Sequence, residues 1–100
     1  MRLIRFPRPD KERPALVLTN DDALDYLTWV VVAPVSSTIR AVPSEVALGV
    51  EDGLKGPCAV NLYNVTAVRR ELVGRRVATL APARMQEVCG ALAFALGCLG

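Results

Sequence analysis

Hydrophobic residues along this chain occur in short runs separated by turn-forming residues, a pattern typical of β-strands. Residues 15–19 (ALVLT) form one such run between two turn formers. Residues 27–33 (LTWVVVA) contain the densest run of β-branched and aromatic side chains, which favours a buried strand with Trp29 in the core. Weaker strand patterns cover residues 3–6, 45–48, 58–65 and 76–80. The pattern therefore predicts five or six short strands.

The C-terminal part of the chain has a different periodicity, which predicts a helix from Pro82 to Leu99. Proline suits the first turn of a helix, where its missing N–H has no partner to lose. The apolar residues at helical spacing are Val88, Leu92, Ala95, Leu96 and Leu99. Beyond Gly90 the helix is apolar nearly all round, whereas a surface helix normally keeps a polar face. We therefore expect this end to contact a partner as well as the core.

Short strands followed by one helix in 100 residues indicate a single domain, residues 1–100, of the α+β class and mainly β. A hydrophobic fraction of 52% against 22% charged residues excludes a disordered chain. The longest uncharged stretches, residues 26–39 and 88–100, are shorter than the roughly 18–20 residues of a membrane span. The N-terminal residues are too charged for a signal peptide. We expect a soluble, cytoplasmic protein with no membrane contact.

The sequence contains no histidine, which restricts the chemistry that it can perform. A Ser-His-Asp triad, a Cys-His pair and histidine-bound zinc or haem are all excluded. The three cysteines are widely spaced, and the acidic cluster of Asp21, Asp22 and Asp25 matches no metal-binding loop, so no metal and no cofactor are expected. An enzyme of this composition should have a pH profile without an imidazole titration between about pH 5.5 and 7.5.

Arginine is the dominant basic residue, since ten of the 12 basic residues are Arg. The guanidinium group binds phosphate through a planar set of donors and stays protonated at neutral pH. Codon usage in a GC-rich genome also favours arginine. Composition therefore leaves nucleic-acid binding open.

One constellation of residues points to phosphate chemistry. Arg13 precedes the strand at residues 15–19, and Ser36 follows the strand at residues 27–33. If these strands are antiparallel neighbours, the start of the first lies beside the end of the second, and the two side chains share one end of the sheet. A guanidinium facing hydroxyl groups can hold a phosphate oxyanion. The alternatives are an ordinary polar loop and an ion pair of Arg13 with Glu12, Asp21 or Glu45.

Two segments around these residues resemble a known family. Residues 13–21 (RPALVLTND) are similar to the R-P-x-L-V-[LI]-[ST]-N-D segment of the MazF/PemK toxins. Residues 32–38 (VAPVSST) resemble the V-A-P-[IVL]-T-[ST] segment of the same family, at the same separation. Residues 53–60, 72–76 and 80–82 resemble three further landmarks, and the closing helix agrees. The match runs from about residue 11 to the end of the chain.

The resemblance implies an SH3-like, partly open barrel of the CcdB/PemK type that forms a homodimer. It also implies the toxin of a type II toxin–antitoxin system, a metal-independent endoribonuclease that cuts single-stranded mRNA or other RNA at specific sequences and so inhibits translation and growth. The implied reaction is attack of a ribose 2′-OH on the adjacent phosphate, leaving 2′,3′-cyclic phosphate and 5′-OH ends. The implied partners are single-stranded RNA and a MazE-like antitoxin, with DNA contacted only through the antitoxin. The alternatives are a CcdB-like gyrase poison and an inactive paralogue that only binds antitoxin.

The resemblance also assigns roles to particular residues. The catalytic Arg and Thr of the family fall on Arg13 and Ser36, so that Arg13 would stabilise the phosphorane and Ser36 would bind a phosphate oxygen or orient the 2′-OH. The residues expected to contact RNA are Ser37, Thr38, Arg40 and Asn64.

Two residues and one segment depart from the family pattern. Ser36 replaces Thr, which keeps the hydroxyl but removes the β-branch that restricts χ1. Tyr63 stands where relatives usually carry Asp. The N-terminal strand and the loop after it, which gates RNA in relatives, are shortened to residues 2–11. We expect activity to survive, and the shortened loop leaves the RNA sequence preference open.

Overall fold

Seven short strands and two helices are defined in the computed structural model, which describes residues 1–5 and 12–98. The strands are β1 (Arg2–Arg5), β2 (Glu12–Val17), β3 (Trp29–Ser36), β4 (Glu45–Leu48), β5 (Cys58–Asn61), β6 (Thr66–Arg69) and β7 (Val73–Arg76). The helices are α1 (Asp21–Leu24) and α2 (Pro82–Ala95). Three single-turn 3₁₀ helices cover Val50–Asp52, Leu62–Asn64 and Arg70–Leu72.

Strand β3 is the centre of one antiparallel sheet with the order β4-β5-β3-β2-β1-β7. One edge of β3 pairs with β2. The other edge pairs with β6 along its first half and with β5 at its end. The C-terminal end of β3 therefore lies between β2 on one edge and β5 on the other.

Each face of this sheet carries a hydrophobic cluster, because successive side chains of a strand point to opposite faces. On one face Leu16, Ala33 and Val35 pack in a cluster that includes Val88 and Ala91 of α2. The opposite face carries a second cluster, formed by Ile4, Ala15, Leu24, Val30, Val32 and Val68. The curved sheet with a C-terminal helix confirms the predicted fold class.

Helix α2 is tied to the loop after β4 by Arg84. Its Nε and Nη2 atoms donate to the two oxygens of Asp52 at 2.8 and 3.3 Å, and Nη1 donates to Glu87 at 3.1 Å. The backbone N–H of Gly49 also donates to Asp52, at 3.0 Å. Burial raises the pKa of the Asp52 carboxyl, but these hydrogen bonds and the Arg84 charge outweigh burial and hold that pKa below its usual value. The same bonds to Asp52 and Glu87 raise the pKa of Arg84.

Several boundaries predicted from the sequence are wrong. The predicted strand at residues 58–65 is divided, because the Asn61 side chain accepts the N–H of Tyr63 and starts a 3₁₀ helix. Strand β6 follows that turn and was not predicted. The predicted strand at residues 76–80 instead covers Val73–Arg76. The helix predicted to reach Leu99 ends at Ala95, and residues 96–98 form a turn. Residue 6 of the first predicted strand, most of the shortened loop and Leu99 lie outside the described residues.

The expectation that Trp29 is a core residue is also wrong, since its side chain is 55% exposed. Trp29 lies at the start of β3 opposite Arg69 of β6, and the Arg69 guanidinium lies 5.5 Å from the centre of the indole ring. Strand propensity therefore placed Trp29 in β3 correctly but did not determine whether its face is covered.

No helix within the described ranges is long and apolar enough to cross a membrane. In the same part of the chain, no three acidic or cysteine side chains lie close enough together to hold a metal ion.

Candidate active site

Arg13 and Ser36 lie on neighbouring strands at one end of the sheet. Strands β2 and β3 are antiparallel, with Ala15 opposite Pro34 and Leu16 opposite Ala33. Continuing this register places Arg13 opposite Ser36, and directly opposite residues of an antiparallel pair point to the same face. The arrangement expected from the sequence, in which these two residues share one end of the sheet, agrees with this register.

The half-buried Arg13 side chain is anchored to the strand that carries Ser36. Its Nη2 atom donates to the carbonyl oxygen of Val35 at 3.2 Å. This bond fixes the direction of the guanidinium relative to the next residue in β3. Strand pairing and this side-chain bond therefore both hold Arg13 at the end of β3 that carries Ser36.

The Ser36 hydroxyl is held by the loop that follows it. Its Oγ accepts the backbone N–H of Thr38 at 3.1 Å, which forms a tight turn at the end of β3. This hydrogen bond restricts the side chain in place of the β-branch that serine lacks. The hydroxyl hydrogen can still be donated to a substrate oxygen.

The loop between β3 and β4 carries three of the four predicted RNA contacts. Ser37, Thr38 and Arg40 are all exposed in it. The carboxylate of Glu45, the first residue of β4, accepts the backbone N–H groups of Arg40 at 2.8 Å and of Ala41 at 2.9 Å. Sequence reasoning considered Glu45 only as an ion-pair partner of Arg13 and missed this contact with the loop.

A buried hydrogen-bond network connects this loop to the segment that carries Asn64. Ser44 is fully buried, and its Oγ donates to Oδ1 of Asn61 at 3.0 Å. The same Oδ1 accepts the N–H of Tyr63 at 3.1 Å, and the N–H of Leu62 donates to the Ser44 carbonyl at 2.8 Å. Asn64 is exposed at the end of this 3₁₀ helix. The two groups of predicted RNA contacts therefore lie on segments that hydrogen-bond to each other.

Tyr63 belongs to an exposed apolar surface rather than to the core. Its side chain is 62% exposed, and its ring meets Phe94 of α2 edge-on, with the ring centres 6.5 Å apart. Phe94 and Leu96 are exposed as well. The apolar end of α2 is thus only partly covered by the rest of the chain.

Comparisons with known proteins agree with this architecture. Residues 3–96 match the family model described as PemK-like, MazF-like toxin of type II toxin-antitoxin system. The probable endoribonuclease MazF2 of Mycobacterium tuberculosis is 38% identical over 91 residues, which covers 90% of this chain and 89% of that protein. The probable endoribonuclease MazF5 of the same species is 39% identical over 87 residues, or 86% of this chain and 80% of the relative.

Solved structures lead to the same family. The Mycobacterium tuberculosis toxin MazF-mt6 superposes with a TM-score of 0.83 at 30% identity, covering 96% of this chain and 97% of that one. An endoribonuclease in complex with its cognate antitoxin from a mycobacterial species gives a TM-score of 0.80 at 29% identity, covering 96% and 91%. From its sequence and its fold, this chain belongs to the PemK/MazF family of type II toxin–antitoxin toxins.

Proposed function

We propose that this chain is an endoribonuclease toxin that cleaves single-stranded mRNA, or other RNA, at specific sequences and thereby inhibits translation and growth. The observation that carries the proposal is the placement of Arg13 opposite Ser36 at the end of two paired strands. Membership of a family whose named relatives include endoribonucleases supports it.

The proposed reaction is an internal transfer at one phosphate. The ribose 2′-oxygen loses its proton and bonds to phosphorus, the bond from phosphorus to the 5′-oxygen breaks, and that oxygen takes up a proton. The products are a 2′,3′-cyclic phosphate and a 5′-OH. Arg13 stabilises the negative charge that builds up on the phosphoryl oxygens, and Ser36 donates a hydrogen bond to one of them or orients the 2′-OH. These side chains supply the chemistry, so we propose a reaction that needs neither metal nor cofactor.

RNA binding is assigned to the polar residues next to this pair. The hydroxyl groups of Ser37 and Thr38 and the guanidinium of Arg40 are exposed on the loop that begins at Ser36. Asn64 is exposed on the segment that the Ser44–Asn61 bond attaches to this loop. Hydroxyl, amide and guanidinium groups bind the phosphates and the exposed base edges of a single strand.

The proposed protein partners are a second copy of the chain and a MazE-like antitoxin. The exposed apolar surface of Tyr63, Phe94 and Leu96 is suited to a homodimer contact, since aromatic side chains are enriched in the cores of such interfaces. A structural neighbour was solved in complex with its cognate antitoxin, which supports an antitoxin partner here. We expect DNA to be contacted only through the antitoxin, and the protein to act in the cytoplasm.

The test is cleavage of a long RNA of mixed sequence by the purified chain in the presence of EDTA. We expect cuts at a restricted set of sequences, mapped by primer extension, with 2′,3′-cyclic phosphate and 5′-OH ends. The Arg13→Ala variant, prepared in parallel, controls for a contaminating nuclease and should leave the RNA intact. Absence of cutting over many sequences, or equal cutting by the variant, would contradict the proposal.

Two further measurements separate the alternatives. Co-purification of gyrase while RNA stays intact would favour a CcdB-like gyrase poison. A tight antitoxin complex of a chain that does not slow growth when expressed alone would favour an inactive paralogue.

A further inference from the structure

Two consecutive backbone N–H groups in the loop after β3 converge on one oxygen. Those of Arg40 and Ala41 donate to Oε1 of Glu45 at 2.8 and 2.9 Å. Ala41 has a φ of +55°, in the left-handed region. Successive N–H groups in such a conformation form a nest, a small concavity that binds anions. The carboxylate of Glu45 therefore fills an oxyanion site built from the backbone of this loop.

The left-handed conformation of Ala41 is unfavourable for a residue with a Cβ atom. Hydrogen bonds from backbone N–H groups to an ionised carboxylate are stronger than those between neutral groups, so the contact with Glu45 offsets this cost. Both N–H groups belong to exposed residues and would otherwise bond to water. The conformation of the loop thus depends on the carboxylate.

Glu45 is itself firmly placed by backbone hydrogen bonds. It pairs with Asn61 in the β4–β5 ladder, and its own N–H donates to the Val42 carbonyl at 2.9 Å. The preceding residue, Ser44, is fully buried and bonded to Asn61. A fixed carboxylate at the edge of the sheet can therefore impose one conformation on an exposed loop.

We propose that Glu45 is a positioning residue for RNA cleavage. Its carboxylate orders the loop so that Ser37, Thr38 and Arg40 are presented to RNA together with Ser36, and it does not itself contact the substrate. This inference rests on the proposed endoribonuclease function. A negative charge near the site also repels phosphate, so simple repulsion predicts that removing the Glu45 carboxylate lowers KM. Loss of loop order predicts instead that KM rises.

The test compares Glu45→Ala and Glu45→Gln with the wild type on an oligoribonucleotide that carries one mapped cut site. We expect KM for Glu45→Ala to rise about tenfold, with kcat within about threefold of the wild type, because loop order and the strained Ala41 conformation are both affected. Glu45→Gln keeps one acceptor oxygen, so its KM should lie between those of the wild type and Glu45→Ala. The matched control is Glu71→Ala, which removes one exposed carboxylate outside this loop and should leave KM within twofold.

A second readout does not depend on activity. Amide hydrogen exchange of Arg40 and Ala41, followed by NMR, should accelerate at least about tenfold in Glu45→Ala and stay unchanged in Glu71→Ala. An unchanged KM, a lower KM, or a loss of kcat with KM preserved in Glu45→Ala would overturn the proposal. A wild-type chain that cleaves no RNA would instead overturn the proposed function, whereas the exchange rates would still report whether Glu45 holds the loop.

Discussion

Arg13 and Arg84 have the same side chain in contrasting surroundings. Arg84 reaches from α2 to the carboxylates of Asp52 and Glu87, and the charged groups of that cluster compensate one another. The Arg13 guanidinium is bonded to the main-chain carbonyl of Val35, on the strand that carries Ser36. The bond to Val35 directs the Arg13 guanidinium, whereas the bonds of Arg84 join a helix to a loop.

The contrast shows that arginines of one protein can have different roles. The pairs of Arg84 with Asp52 and Glu51 connect α2 to the loop after β4. The β2–β3 register, when continued, sets Arg13 opposite Ser36, the residue with which it is proposed to bind a phosphate oxyanion. Activity and stability should therefore separate between the two positions.

The largest expected effect is the loss of cleavage in Arg13→Ala. Removing one donor from an oxyanion site lowers kcat by about 10²–10³, or ~2.7–4 kcal/mol of transition-state stabilisation. Loss of the bond from the charged guanidinium to the Val35 carbonyl should lower the free energy of unfolding by about 1.5 kcal/mol. Single-turnover cleavage and thermal melting measure the two quantities. A stability loss large enough to explain the inactivity would remove the distinction between the two arginines.

Arg84→Ala should produce the opposite result, a loss of stability with cleavage preserved. The Asp52 side chain is only 6% exposed and would lose its two bonds from the guanidinium. Hydrogen bonds to charged groups are worth about 1.5–3 kcal/mol, which corresponds to a Tm decrease of roughly 10 °C in a domain of this size. The rate of the folded fraction, assayed below Tm, should remain within about twofold of the wild type. A tenfold lower rate at unchanged Tm would assign Arg84 to the site instead.

The region around Arg13 could be predicted from patterns that are local in the sequence. The Arg13–Ser36 arrangement follows from two neighbouring strand patterns and the antiparallel pairing of β2 and β3. The bounds of β4, residues 45–48, also agree with the sequence pattern. In each case the information lies within a few residues of the element that it determines.

The features that sequence reasoning missed depend on distant contacts. The Asn61 side chain that divides the predicted strand is also held by the hydroxyl of Ser44, which is 17 residues away. The exposure of Trp29 depends on which part of the sheet the distant C-terminal helix covers. The nest at Glu45 requires an alanine in a left-handed conformation, and alanine, unlike glycine or asparagine, gives no signal of that conformation.

The smallest expected effect is a pH dependence confined to the Arg84 region. Because the pKa of Asp52 is lower in the folded chain than its usual value of about 3.9, its ionised form stabilises the fold above that pH. This stabilisation is lost as the pH falls through the lowered pKa of the folded state. The Tm difference between the wild type and Asp52→Asn should therefore be constant above about pH 5 and shrink by a few degrees below about pH 4. The contradicting result is a Tm difference for Asp52→Asn that does not change with pH. It would show that the ionised carboxylate adds nothing to the attachment of α2, and the contrast between the two arginines would then rest on Arg13 alone.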